Sequence, residues 1–314
     1  MTSLPPFSAP TAAAIYNHYE KTAHNFRRPH LGASRIGLPC FRALWYEFRW
    51  CLDPEFPGRI LRLFETGFRE ESRIIRNLKD IGIDVRADIA GKQISFKKFG
   101  GHFGGSVDGI GTGFPEAPQA QHIIEIKTAN AKSFRDMQKR GIQLSKPVHY
   151  AQVCMYMRAL SIARAFYFMV CKDTDEIYQE RVYENPDYAI RLTDKAKQII
   201  FTDEPQEKTE TYECRWCPYH DLCSGKKLPL VSCRTCARAT PDENGGWSCS
   251  RAIILDMTEQ QKGCAHHMYI PALVPLVVTD ANDIDGWIEY AGKLKNGRDH
   301  KRSEDMRNEW ENDN

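Results

Sequence analysis

Apolar residues along this chain fall into two periodicities. Ile60, Leu63, Phe64, Phe68, Ile74, Ile75 and Leu78 recur near helical spacing and predict a long amphipathic helix over 59–80. The same pattern predicts helices over 11–28, 35–50, 131–141, 147–161 and 187–200, with Ser34 as N-cap of the one that carries Cys40. Runs rich in Val, Ile and aromatic residues predict strands at 83–89, 92–98, 102–110, 121–128, 164–171 and 176–183, separated by Gly-rich turns. This order predicts an α/β fold with a mixed central sheet flanked by helices. After residue 205 cysteines dominate as far as His267, as expected where metal replaces an apolar core. From residue 296 the chain is almost wholly polar and is expected to be a disordered tail.

Composition narrows the picture. The 314 residues suffice for one large core plus a small satellite module, and 42% hydrophobic with 27% charged residues is ordinary for a globular protein. The net charge of +2 advertises no global field for nucleic acid, so a DNA path would be a local stripe. Arg27, Arg28, Arg35, Arg42, Arg49, Lys132, Arg135, Lys139 and Arg140 are its candidates. The opening residues lack a charged segment followed by an apolar run, and no stretch approaches ~18 apolar residues. With eleven cysteines, that implies a reducing compartment, a cytoplasmic location and no membrane contact. Clustered cysteines there point to metal and away from disulfides.

One constellation carries hydrolytic chemistry. Asp108 ends one strand and Glu125-Ile-Lys127 lies on the next, where alternation puts Glu125 and Lys127 on one face while Ile124 and Ile126 point into the core. Two such carboxylates, with the Ile126 carbonyl as a third donor, suit Mg²⁺ or Mn²⁺. Lys127 beside the ion would position or deprotonate an attacking water. The bland alternative is a surface hairpin with an ordinary salt bridge.

This arrangement resembles the RecB-like branch of the PD-(D/E)xK nuclease superfamily, with Val107 standing where the nominal Pro would be. Phe64-Glu-Thr-Gly67-Phe-Arg-Glu-Glu71 is similar to the family's first motif. The resemblance places Glu71 by the metal, with Glu70 as the off-by-one alternative. Gln152-Val-Cys-Met-Tyr156 is similar to its Gln-x-x-x-Tyr helix, which implies that an amide and a phenol orient DNA and the lysine. The implied fold is a restriction-endonuclease-like core.

Cys40 stands alone, whereas Cys214, Cys217 and Cys223 lie within ten residues, so they can meet only if the chain folds back on itself. Four converging thiolates make a soft-metal site. The set resembles the iron–sulfur nucleases of the superfamily, such as the CRISPR-associated RecB-like exonucleases and the AddB-type nucleases. There a 4Fe–4S cluster staples the ends of the domain. Zinc is the competing ion, and Cys51 the alternative to Cys40. Further on, Cys233, Cys236, Cys249 and Cys264 have spacings compatible with one zinc ribbon, with His266 or His267 able to replace a thiolate.

The expected organisation is therefore an N-terminal helical segment (1–58), a nuclease core (59–205), a cluster triplet (206–228), a zinc-ribbon-like module (229–295) and a tail (296–314). Cys154 and Cys171 read as core thiols, Phe166 to Phe168 as a buried strand, and His102 as a structural histidine or a phosphate contact. Trp45, Tyr46, Phe48 and Trp50 either pack their helix or interleave with arginines along single-stranded DNA. The functional expectation is an Mg²⁺- or Mn²⁺-dependent DNA exonuclease acting on single strands or duplex ends in recombination, repair or processing. No P-loop is present, so unwinding would need a helicase or recombination partner. The alternatives are a CRISPR adaptation nuclease and a non-catalytic DNA-end-binding module.

Overall fold

The structure is a computed structural model that describes residues 9–23, 27–208, 212–251, 253–292, 294–297 and 299–313. Its helices are α1 (Pro10–Thr22), α2 (Phe41–Phe48), α3 (Gly58–Asp80), α4 (Ala131–Ser145), α5 (Pro147–Leu160), α6 (Pro186–Phe201), α7 (His220–Cys223), α8 (Met257–Gln261) and α9 (Ser303–Asp313). The strands of the N-terminal two thirds are β1 (Leu31–Gly32), β2 (Asp84–Arg86), β3 (Asp88–Ile89), β4 (Lys92–Gln93), β5 (Ser95–Lys98), β6 (Phe103–Ser106), β7 (Gly109–Thr112), β8 (His122–Ala129), β9 (Arg164–Cys171) and β10 (Ile177–Tyr183).

The central sheet runs β10-β9-β8-β7-β2, with β8 and β9 parallel and the remaining pairs antiparallel. β8 and β9 are nearly continuous apolar runs because both of their faces are covered. On one face Ile124, Ile126, Phe166 and Phe168 pack against Ile74 and Leu78 of α3. On the other, Ile123, Tyr167 and Met169 join the main core with α4, α5 and α6. α5 is sandwiched there, with every residue from Ala151 to Met157 buried, so Gln152 and Tyr156 are polar groups inside a helix that is otherwise apolar. This is the expected mixed sheet flanked by helices.

Several boundaries differ from expectation. The strand over 102–110 is two strands in two sheets. β6 pairs with β1 and β5, and the chain then switches at Val107-Asp108 to pair with β8 as β7. The strands at 83–89 and 92–98 are likewise each broken in two. The helix over 35–50 begins only after Cys40, whose sulfur accepts from the Ala43 N–H at 3.4 Å. Ser34 is not its cap, because Leu31 and Gly32 are drawn into parallel pairing with Phe103 and Gly104, and Pro39 disfavours helical backbone just before it. Of the helix over 11–28 only α1 forms, and 24–26 lie outside the described residues.

The C-terminal third holds two three-stranded meanders: β11 (Ala239–Pro241), β12 (Trp247–Cys249), β13 (Ile253–Ile254), and β14 (Val278–Asn282), β15 (Trp287–Tyr290), β16 (Leu294–Gly297). It has an apolar cluster of its own, built on Leu228, Met268, Tyr269, Val274, Ile288, Tyr290 and Met306. The expected disordered tail is instead helix α9. Met306 enters that cluster, and the Trp310 indole N–H donates to the Gly225 carbonyl at 3.0 Å. At its start the buried Ser303 bonds His267 and Asn296, so apolar and polar anchors together dock an otherwise polar helix.

This region is seated on α2 through buried cations. Arg234, 1% exposed, donates to the carbonyls of Phe48 (2.9 Å) and Pro29 (3.0 Å) and to Gln260 Oε1 (2.8 Å), and lies 3.6 Å from the Trp50 ring centroid. Arg49 is equally buried between Trp45 and Trp247 and donates to the Ala239 carbonyl at 3.1 Å. Arg49 therefore does not belong to a DNA stripe. Trp45, Tyr46, Phe48 and Trp50 are all buried, which leaves the packing reading and removes the stacking one. Among the described residues no helix is long and apolar enough to cross a membrane.

Candidate active site

The switch between sheets builds the site. β7 and β8 pair as Gly109 with Ile124 and Ile110 with Ile123, so continuing the ladder would set Val107 against Ile126. The chain leaves at that point; Val107 N–H donates to the Ile94 carbonyl of the other sheet. Both backbone groups of Ile126 face the vacated edge. Asp108 Oδ2 accepts from the Ile126 N–H at 2.7 Å, and Lys127 Nζ donates to the Ile126 carbonyl at 3.1 Å. Lys127 also donates to Glu125 Oε1.

Glu125 is 1% exposed, and its second oxygen, Oε2, has no hydrogen-bond partner among the described residues. An orphaned carboxylate oxygen is costly unless a cation or proton meets it. Burial pushes Glu125 and Asp108 up, opposed by the Lys127 ammonium. Burial disfavours the charge of Lys127, but the carboxylates of Glu125, Asp108 and Glu71 outweigh it and hold the lysine protonated, above its ordinary range. Glu71, half-buried on α3, is pushed up to about 7 by burial and then by Asp108. Glu70 instead pairs with Arg73, so Glu71 is the residue the structure brings to the group.

On the opposite wall Gln152 Nε2 donates to Tyr156 Oη at 2.9 Å. The phenol lies against Gly105, where a Cβ would stand 2.8 Å from Tyr156 Cε1, so the glycine makes room for the ring. Burial, then the nearby charge of Glu125, raises the Tyr156 phenol. Asp108, Glu125, Lys127, Glu71, Gln152 and Tyr156 thus surround one spot.

The donor set is hard: carboxylates of Asp108 and Glu125, the Ile126 carbonyl, and Glu71 nearby. With the unsatisfied Oε2, it fits a divalent cation of the magnesium type. Among the described residues no three of His, Cys, Asp or Glu are drawn tightly enough to hold an ion as they stand. The Lys127 ammonium lies on the same carboxylate and carbonyl that the ion would use.

Burial pushes Cys217 up, and the nearby thiols of Cys40, Cys214 and Cys223 add to it. Cys51 is fully buried, and Cys40 is the upstream thiol whose charge acts on Cys217. In the C-terminal region burial and then Cys236, Cys264 and Cys249 push Cys233 up to about 12. Burial pushes Cys236 up as well, opposed by the backbone N–H groups of Met268 and Arg238. His267 is not a spare ligand: Nδ1 lies 2.7 Å from Ser303 Oγ and Nε2 3.2 Å from Thr235 Oγ1. His102 is structural, with Nε2 3.0 Å from the Asp242 carbonyl and its ring edge-on to Phe48 and Trp247. Of the basic candidates, Arg27 pairs with Asp53 and Arg35 with Glu47. Lys132, Arg135 and Lys139 line one exposed side of α4, the helix that follows β8.

A model of the PD-(D/E)XK nuclease superfamily matches residues 42–224, more than half of the 314, and the chain belongs to that superfamily. Nucleases of this superfamily work with divalent ions such as Mg²⁺ or Mn²⁺. Among solved structures, that of SSO0001 is similar at 16% identity, covering 69% of this chain and 96% of that one, with a TM-score of 0.41. The alkaline exonuclease LHK-Exo from Laribacter hongkongensis is similar at 17% identity, covering 58% and 90%, with a TM-score of 0.41. Its complex with dAMP gives 16%, 58%, 90% and 0.42. A search of curated proteins finds no match.

Proposed function

We propose that this chain is a divalent-metal-dependent deoxyribonuclease that degrades DNA from its ends. The observation that carries the reading is the buried Asp108–Glu125–Lys127 group with one carboxylate oxygen left unsatisfied beside the freed backbone of Ile126. Asp108, Glu125 and the Ile126 carbonyl would hold the ion. When bound, it polarises the scissile phosphate and makes the attacking water more acidic. Glu71, ionising near neutrality, takes the water's proton at its carboxylate. Lys127, held as an ammonium, neutralises charge that develops on the phosphate instead of acting as a base. Gln152 and Tyr156 fix the position of the strand, and the exposed Lys132, Arg135 and Lys139 give its backbone a path. The preference for ends rests on the resemblance of the motif order and cysteine spacing to RecB-like exonucleases.

Cys40, Cys214, Cys217 and Cys223 would hold a 4Fe–4S cluster that ties the ends of the core together. Cys233, Cys236, Cys249 and Cys264 would hold zinc. The mutual electrostatic effect of the thiols on Cys217 in one set and on Cys233 in the other supports these assignments.

The test compares Mg²⁺- and Mn²⁺-dependent degradation of end-labelled linear DNA with closed circles, using anaerobically purified protein, alongside Asp108→Ala and Lys127→Ala. Loss of linear DNA alone, abolished in both variants, is the expected result. Cutting of circles makes the protein an endonuclease. Absence of cleavage with either metal, or cleavage that survives both substitutions, removes the proposal.

A further inference from the structure

α5 carries His149, Gln152 and Tyr156 at i, i+3 and i+7, one side of one helix. Two of these belong to the site described above, and nothing so far uses the third. His149 Nδ1 lies 2.7 Å from Tyr167 Oη. Tyr167 is fully buried on β9, in parallel register directly opposite Glu125, so the two side chains stand side by side on the same face of the sheet.

Burial, reinforced by the charge of Glu125, holds the Tyr167 phenol well above its ordinary range. The phenol is therefore protonated and able to donate to Nδ1, the arrangement that places the imidazole proton on Nε2. Burial and then the cations Lys127 and Lys146 push His149 down to about 3, so the ring is neutral at any working pH. His267, buried in the C-terminal region, has both nitrogens engaged. His149 is half-buried, and among the described residues no hydrogen bond engages Nε2 and no burial seals it.

We propose that His149 is a substrate-contacting residue of this nuclease site. Its Nε2–H, oriented by the Tyr167–Nδ1 bond, donates to a non-bridging oxygen of a DNA phosphate beside Lys127. The inference rests on the nuclease reading. A neutral donor suits this wall because Lys127 already supplies the positive charge and a second cation would repel both it and the ion. The bond it makes is directional, so it sets the register of one phosphate and adds little general affinity.

The test is a binding cycle in which protein and DNA each lose one partner of the contact. Asp108→Asn protein, which cannot cut, is titrated with short DNA strands that each carry a single methylphosphonate in place of one phosphate. His149→Ala, made in that background, is expected to weaken binding of unmodified DNA about tenfold. The loss should vanish on the strand whose methylphosphonate removes the contacted oxygen. His149→Gln, whose amide can both accept from Tyr167 and donate onward, should recover most of the affinity and guards against a folding defect. An equal loss on every strand marks a structural histidine and overturns the proposal, as does no loss at all. The nuclease reading is judged separately by cleavage with the unsubstituted protein.

Discussion

Asp108 Oδ2 accepts a hydrogen bond from the backbone N–H of Ile126 at 2.7 Å, and in doing so takes the place of a strand that has left the sheet. One carboxylate thus mends the edge of β8 and is held, by that bond, beside Glu125. The fold and the site are joined at this residue.

Asp108→Asn and Asp108→Ala should separate the two roles. Asparagine keeps an oxygen for Ile126, so its unfolding midpoint stays near that of the native protein while cleavage falls at least about a hundredfold. Alanine orphans a buried N–H and should cost about 1–3 kcal/mol in addition. Denaturant titration beside a cleavage assay reads both. An alanine variant as stable as native protein would show that the bond does not hold the edge.

Glu71 ties stability to pH. Its folded pKa of about 7 lies above the ~4.3 of a free glutamate, so between these values the folded state binds more protons than the unfolded state. In metal-free buffer the melting temperature should therefore fall as pH rises from about 5 to 8, with at most about one proton of slope from this residue. Glu71→Gln should remove that part of the slope. An unchanged slope in the variant would refute the assignment.

The two sets of thiols should separate by element. Cys217→Ser is expected to lose iron and keep zinc, and Cys236→Ser to lose zinc and keep iron, each with a large drop in thermal stability because metal binding contributes directly to folding. Elemental analysis and visible absorbance after anaerobic purification are the readouts. Native protein that binds neither metal would discard both assignments.

Gly105→Ala probes the Gln152–Tyr156 wall without removing a polar group. The added methyl would stand 2.8 Å from Tyr156 Cε1 and 3.1 Å from its hydroxyl, so the ring must shift and its bond to Gln152 is disturbed. Overpacking of this kind costs about 1–3 kcal/mol, and cleavage should drop about tenfold or more, because a small misplacement at a site is expensive. Full activity in this variant would remove the phenol from the site.

Arg234→Met tests the seating of the C-terminal region. It leaves the Phe48 and Pro29 carbonyls and Gln260 Oε1 without their donor. A loss of about 3 kcal/mol is expected, with new proteolytic cleavage between residues 205 and 232. Unchanged stability and protease resistance would mean that the region is held by other contacts.

Periodicity and spacing were enough for the core. α3, β8, β9 and α5 lie where the local pattern of apolar residues places them, α3 by helical recurrence and the others as apolar runs of strand or helix length. The order of Asp108, Glu125, Lys127, Gln152 and Tyr156 was legible for the same reason. The break at Val107-Asp108 was not: a run that alternates well enough for one strand is divided between two sheets, and which sheet a residue joins depends on partners far along the chain. His149 was equally silent, since a lone histidine acquires meaning only when Tyr167, from another strand, takes its Nδ1. The same holds for Arg49, which reads as an exposed cation in sequence and is a buried bolt in the structure, as is Arg234, the two sharing four aromatic rings around them. α9 shows the reverse case, a polar tail that packs through Met306 and Trp310 and is anchored at Ser303. Local chemistry thus determined which residues could form a metal site and on which elements they lie. Only tertiary packing decided which backbone groups were left free for them to meet, because a vacated strand edge is a property of the sheet and not of any segment within it.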